Sequence, residues 1–164
     1  MKPDIQIRQA QAADADAIWA IIGPIIAAGE TYALERDMGR EAALAYWLAE
    51  DHDVYVAQMG GVILGTYYMR ANQAGGGKGV ANCGYMTATE ASGKGIARQM
   101  CSHSLDHARR RGFRAMQFNF VVSSNVRAVA LWQAMGFDIV GRLPLAFEHP
   151  QQGSVDALVM FQAL

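Results

Sequence analysis

The sequence predicts a mixed α/β domain built on one mostly antiparallel sheet flanked by helices. Three observations predict it. Two apolar strand-like runs, Val54-Tyr55-Val56-Ala57 and Val62-Ile63-Leu64-Gly65-Thr66-Tyr67-Tyr68, flank Gly60-Gly61, a pair suited to the positive φ angles of a tight hairpin turn. Farther on, the apolar strand Val80 to Thr87 is followed by a long amphipathic helix and then by a strand carrying Met116, Phe118 and Phe120. A strand, helix, strand succession pairs its strands in parallel through a crossover. Gly112 and Gly136, finally, stand where two helices should end, because glycine takes the left-handed conformation of a helix C-terminus.

The elements follow in order. Ile5-Gln6-Ile7-Arg8 alternates like a strand, after which Asp14 and Asp16 suit the first turn of a helix carrying Ile18, Trp19, Ile22 and Ile25 at helical spacing. Pro24, after Gly23, is expected to break or kink this helix and leave Gly29-Glu30-Thr31-Tyr32 as a connection to a second amphipathic helix, Arg40 to Glu50. The hairpin strands come next, then the tract Ala74-Gly75-Gly76-Gly77-Lys78-Gly79, read as a loop tip because no helix follows it. In the long helix, Ile96, Ala97, Met100, Cys101, Leu105 and Ala108 form one face and Arg98, Gln99, His103, Asp106 and Arg110 the other. Another helix runs from Asn125 to Met135, with Ala128, Leu131, Trp132 and Met135 on one face, before strands at Asp138 to Gly141 and Val155 to Leu164.

At 164 residues and 52% hydrophobic content, with no internal repeat or linker, residues 1–164 read as a single domain. The 14 basic residues nearly balance the 15 acidic ones, for a net charge of −1, so no global field draws nucleic acid or anionic lipid. Met1-Lys2-Pro3-Asp4-Ile5-Gln6 has no signal-peptide apolar region, and no stretch approaches the roughly 18 continuous apolar residues that span a bilayer. A cytoplasmic protein is expected. Cys83 and Cys101 lie in apolar segments without a CxxC pair or histidines at ligand spacing, which favours reduced core thiols over a disulfide or a metal site.

The chemistry concentrates in Tyr85-Met86-Thr87-Ala88-Thr89-Glu90-Ala91-Ser92-Gly93-Lys94-Gly95-Ile96-Ala97, a strand that ends in a short loop and enters a helix. Unpaired N–H groups and the positive end of the helix dipole converge there, and Gly93 and Gly95 put no Cβ in the way of a phosphate. Lys94 and Arg98 add charge. Alone, Gly-Lys-Gly before a helix serves equally as a turn and cap, and the pattern of a P-loop is absent. Downstream stands Asn125-Val126-Arg127-Ala128-Val129-Ala130-Leu131-Trp132-Gln133-Ala134-Met135-Gly136-Phe137.

Together the two segments resemble the GCN5-related N-acetyltransferase (GNAT) superfamily, in which a Gln/Arg-x-x-Gly-x-Gly/Ala loop holds the CoA pyrophosphate and an Asn-x-x-Ala-x-x-Leu-Tyr-x-x-x-Gly-Phe helix lies beside the pantetheine. The resemblance covers essentially the whole chain. It implies a central sheet with splayed parallel strands, acetyl-CoA as co-substrate, a small-molecule amine as acceptor, and a homodimer. It assigns the pantetheine to the backbone of Tyr85, Met86 and Thr87, and the pyrophosphate to Ser92, Gly93, Lys94, Gly95, Ile96, Ala97 and Arg98. The Met86 N–H is expected to stabilise the oxyanion, and Asn125 to cap its helix and bond the pantetheine arm.

Two positions depart from the family pattern. Ser92 replaces the usual Gln or Arg, and Trp132 stands where many members carry a Tyr thought to protonate the departing thiolate. Indole has no acid proton at neutral pH, so Trp132 is read as a core or pocket wall residue. Glu30, Glu90, Glu148 and His149 are candidate bases, each also readable as a solvated surface group, and Glu30 is carried forward.

Asn82 and Asn119 interrupt apolar strands, where an amide must find partners. They line an acceptor pocket or serve as structural amides. With Val155-Asp156-Ala157-Leu158, the run Asn119-Phe120-Val121-Val122-Ser123-Ser124-Asn125 looks like fungal acetyltransferases acting on proline-analogue imino acids such as azetidine-2-carboxylate, whose strand asparagines hold the substrate carboxylate. Tyr32 is a further acceptor-side candidate. The expected activity is acetyl transfer to a small amine, an amino acid or imino acid, by direct attack in a ternary complex. The alternatives are a CoA-binding regulatory module without turnover and a protein or peptide N-acetyltransferase.

Overall fold

The alternating N-terminal run forms β1 (Ile5–Gln9), and the computed structural model, which describes residues 4–164, continues it with α1 (Ala15–Ala28), α2 (Arg40–Trp47), β2 (Asp53–Met59), β3 (Val62–Ala71), β4 (Val80–Thr87), α3 (Ile96–Arg110), β5 (Ala115–Val122), α4 (Val126–Ala134), β6 (Asp138–His149) and β7 (Gly153–Ala163). Met1-Lys2-Pro3 of the N-terminal reading lie outside the described residues. The strands make one seven-stranded sheet in the order β1-β2-β3-β4-β5-β7-β6. Neighbours are antiparallel except β4 and β5, which are parallel as the α3 crossover requires. Gly60 and Gly61, at φ 58° and 81°, turn the β2–β3 hairpin. No helix among the described residues is long and apolar enough to cross a membrane.

Strand alternation sorts the side chains between two helical layers. On one face Thr66 and Tyr68 of β3 meet Trp47 of α2, whose Nε1 donates to Thr66 Oγ1 at 3.0 Å. On the other, Tyr67 pairs with His103 of α3 at 2.7 Å, and the Tyr85 hydroxyl of β4 shares a hydrogen bond with the Ser104 hydroxyl of α3 at 2.6 Å. The core runs through both layers: Ile18, Ile22 and Ile26 of α1 and Ile96, Met100 and Cys101 of α3 are each at most 2% exposed. Cys83 and Cys101 are buried and unpaired, and burial raises both thiol pKa values, Cys101 to about 12.

Three expectations are corrected. Pro24 does not break α1, which continues through it to Ala28 and ends at Gly29, φ 66°. Pro24 is exposed while Ile26 beyond it is buried, so burial of the apolar stripe offsets the hydrogen bond that proline removes. The second helix stops at Trp47 rather than Glu50, because Trp47 is fully buried and the chain after it turns back toward β2. The glycine tract is a loop, as expected, and holds a single 3-10 turn, Gly75–Gly77. The strand expected to end at Gly141 runs on to His149 as β6, past an irregularity between Leu143 and Phe147, where the Leu145 N–H donates to Asp156 at 2.8 Å instead of to the ladder.

Where β1 meets α1, Arg8 donates to both carboxylate oxygens of Asp14, at 2.8 and 2.9 Å, and the Gln11 N–H donates to the same group at 2.7 Å. The Arg8 hydrogen bonds, opposed by burial, hold the Asp14 pKa below its ordinary value. A lowered folded-state pKa contributes stability that is complete above the unfolded aspartate range and is lost as pH falls through the folded value. Asp14→Asn is therefore expected to cost about 1–2 kcal/mol at pH 7. In urea melts between pH 7 and 3, the gap between variant and wild type should close on the acid side.

Candidate active site

The site begins where the sheet comes apart. β4 and β5 pair only at Val80–Ala115 and Ala81–Met116. One residue later the Asn82 Nδ2 donates to the Gln117 carbonyl at 2.9 Å, taking the acceptor that a continued ladder would offer to the backbone of β4. The strands then diverge around a cleft of about 830 Å³ lined by β4, the second half of β5, the loop from Thr89 to Gly95, the starts of α3 and α4, and the α1–α2 connection. Each expected cofactor or acceptor residue except Lys94 lines this cleft, including Tyr32, Asn82, Asn119, Asn125 and Trp132.

The register of β3 against β4 decides which backbone groups face the opening. Asn72 donates to Val80 and Ala88 donates to Leu64, and the pairing between these bonds is uninterrupted. In an antiparallel ladder hydrogen-bonded pairs alternate, so Thr66 and Met86 bond each other. The N–H groups and carbonyls of Cys83, Tyr85 and Thr87 point into the gap. This corrects the oxyanion assignment: the Met86 N–H is committed to β3. The Tyr85 carbonyl is already engaged, accepting from the Tyr32 hydroxyl at 2.8 Å, and burial raises the Tyr32 pKa well above its ordinary value.

At the mouth of the cleft, Gly93 and Gly95 hold φ of 80° and 82°, and a Cβ at either would meet nothing within 4 Å. Gly95 is the N-cap of α3 and no side chain caps the helix, so the first-turn N–H groups at Ile96, Ala97 and Arg98 keep no intrahelical acceptor. Ile96 is 1% exposed and pins this helix start into the core. Ser92 accepts from Arg127 at 3.1 Å, which brings to the loop a cation that sequence patterning missed. Arg127 lies two residues after Asn125 in the α4 segment, a position that shows up only once the loop and helix are seen side by side.

Across the gap Asn125 caps α4 by accepting from the Ala128 N–H at 3.4 Å. Trp132, 8% exposed, packs between Tyr85 and Phe118 with ring centroids 5.0 and 5.1 Å apart, so it walls the pocket. Asn119 sits where β5 loses register with β7; it donates to Asn72 at 2.6 Å and accepts from Gln117 at 2.9 Å. Of the candidate bases, Glu30 lines the cleft and the others do not. His149 accepts from the Gln151 and Gln152 N–H groups in the β6–β7 turn, and Glu148 accepts from Ser154 beside it. Sequence reasoning also passed over Arg70, Tyr46 and Tyr68, which line the cleft; an arginine closing an apolar strand reads as a solvated end until the register sets it opposite Asn82.

Residues 19–137 match the acetyltransferase (GNAT) family. A GCN5-related N-acetyltransferase from Kribbella flavida is 40% identical, with a TM-score of 0.94 over 98% of both chains. The N-acetyltransferase aca1 of Schizosaccharomyces pombe is 30% identical over 98 residues, which is 59% of this chain and about half, 47%, of that protein. A phosphinothricin acetyltransferase from Sinorhizobium meliloti, solved in complex with acetyl-CoA, shares the fold at 24% identity, a TM-score of 0.85 and coverage of 100% and 89%.

Proposed function

Because the chain belongs to the acetyltransferase (GNAT) family and so works as an acetyl-CoA-dependent N-acetyltransferase, we propose that its acceptor is a small amine of the amino acid or imino acid class, acetylated by direct attack in a ternary complex. The observation that carries this reading is the cleft itself. It joins an open glycine loop and uncapped helix N-terminus at one end to an amide-lined pocket at the other, along a strand edge with unpaired backbone. The likeness to a fungal N-acetyltransferase agrees with the fungal subgroup that the sequence resembles. A homodimer belongs to the same proposal on resemblance alone, and a cytoplasmic location as the sequence expectation given above.

Acetyl-CoA supplies the activated acetyl thioester. The residues present suit it: a pyrophosphate needs N–H donors without Cβ atoms in front of them, which Gly93 to Arg98 provide with Arg98 and Arg127 close by. The free edge of β4, at Cys83, Tyr85 and Thr87, takes the pantetheine amides as an added strand would. In the register above, the oxyanion donor is a gap-facing N–H, that of Tyr85 or Thr87. The acceptor nitrogen bonds to the acetyl carbon as the carbon–sulfur bond breaks, and Glu30 takes the amine proton directly or through a water. Trp132 walls the site and moves no proton.

The test is CoA release, followed with a thiol reagent, against amino acids, imino acids, polyamines and peptides. Release that depends on an amino or imino acid supports the proposal. Release with peptides alone points to a protein N-terminus or lysine, and tight binding without release to a regulatory module. With the best acceptor, Glu30→Gln is expected to lower kcat by about 100-fold near neutral pH. An unchanged kcat would return proton removal to water.

A further inference from the structure

Among the described residues, Arg70 has no hydrogen-bond or ion-pair partner. It lies near the end of β3, half-buried, on the strand face that carries Tyr68, in register with Asn82. Its Nε is buried and has no hydrogen-bond partner, and it joins none of the ion pairs among the described residues. A buried donor left unpaired costs free energy that a ligand acceptor would recover. The amides nearby are already bonded to one another or to backbone, Asn82 to Gln117 and Asn119 to Asn72 and Gln117, and the Tyr46 and Tyr68 hydroxyls are bonded to each other at 3.1 Å.

The cleft's charged lining consists of Glu30, Arg70, Arg98 and Arg127. Arg98 opens α3 and Arg127 is bonded to Ser92, so both sit at the glycine loop. Arg70 belongs to the other end. From Asn82 to Thr87 the strand advances five residues, about 17 Å at its usual rise, so Arg70 serves a different part of the bound substrates from the phosphate cations.

We propose that Arg70 is the carboxylate anchor of the acceptor site. It takes the carboxylate of a small amino or imino acid in its planar fork, and so turns the acceptor's amine toward the middle of β4. A guanidinium stays charged at every physiological pH and matches a carboxylate in two parallel hydrogen bonds. The same charge repels a polyamine, and a peptide brings no carboxylate next to its reacting amine. This inference rests on the acetyl-transfer reading and names the residue that holds the carboxylate of the amino or imino acid proposed as acceptor.

The test compares CoA release with L-proline, L-methionine, their carboxamides and spermidine, for wild type, Arg70→Gln and Arg70→Lys, with thermal melts showing that each variant is folded. Wild type is expected to prefer each acid to its carboxamide by about 10- to 100-fold in kcat/KM. Arg70→Gln should bring that ratio to about one through a raised KM for the acid, leaving the KM for acetyl-CoA in place, and Arg70→Lys should restore part of the preference. A ratio in Arg70→Gln equal to that of wild type, or a wild type that uses spermidine or the carboxamides as well as the acids, overturns the anchor. No release from wild type with any amine counts against acetyl transfer itself. Calorimetric titration of L-proline and L-methionine in the presence of CoA then decides Arg70 separately: binding that Arg70→Gln abolishes keeps the anchor, whereas equal or absent binding removes it.

Discussion

Gly95→Trp is expected to raise the KM for acetyl-CoA by about 100-fold or more, since it displaces several charge-assisted hydrogen bonds at once and each tenfold is about 1.4 kcal/mol. The indole would stand in front of the first-turn N–H groups of α3, in space that a Cβ enters without meeting an atom within 4 Å. The fold should tolerate it. The cost in stability is the left-handed backbone at φ 82°, about 1–2 kcal/mol for a residue with a Cβ. Gly95→Ala carries the same strain without the bulk, so it should melt like Gly95→Trp and keep most of its acetyl-CoA affinity. If the two variants lose affinity equally, strain and not occlusion is responsible, and the phosphate site is misplaced.

Trp47→Ala is expected to be the most destabilising single change in the helical layer over the acceptor side, at about 3–5 kcal/mol. Trp47 is fully buried, lies edge-on to Tyr68 at 4.9 Å and to Tyr32 at 6.3 Å, and its N–H donates to Thr66, which donates in turn to the Tyr55 carbonyl. Truncation opens a cavity and cuts this chain. In a domain of this size the melting temperature should fall by about 10 °C. Trp47→Phe keeps a ring and loses only the N–H, so about 1–2 kcal/mol is expected. Because Tyr32 and Tyr68 line the cleft, Trp47→Phe should also raise the acceptor KM while leaving that for acetyl-CoA unmoved. Thermal melts and steady-state kinetics on the two variants check both statements.

Much of the cofactor end was legible because its signals are local. A strand, two glycines and an amphipathic helix stand consecutively, the helix is the crossover that a parallel pair requires, and the Asn125 to Phe137 helix follows directly on β5, the strand that borders the gap. The rest depends on register, which a single strand does not carry. Whether Met86 or its neighbours face the gap turns on one residue of pairing between β3 and β4. Arg70 opposite Asn82, and Tyr32 reaching Tyr85 across the sheet, likewise join residues far apart in the chain. Pro24 misled for a different reason: the local rule for proline is sound, but tertiary burial of Ile26 outweighs it.

The central claim is that both substrates occupy one cleft and that the acetyl group passes directly to the amine. Cys83 is the thiol in that cleft, and burial raises its pKa far above the neutral range, which leaves it without the thiolate that an acetyl-enzyme route would need. The direct test is initial velocity with acetyl-CoA and the best acceptor varied together, alongside the intact mass of enzyme incubated with acetyl-CoA alone. Intersecting double-reciprocal lines and an unchanged enzyme mass are predicted. Parallel lines, with an acetyl group recovered on Cys83, would contradict the account.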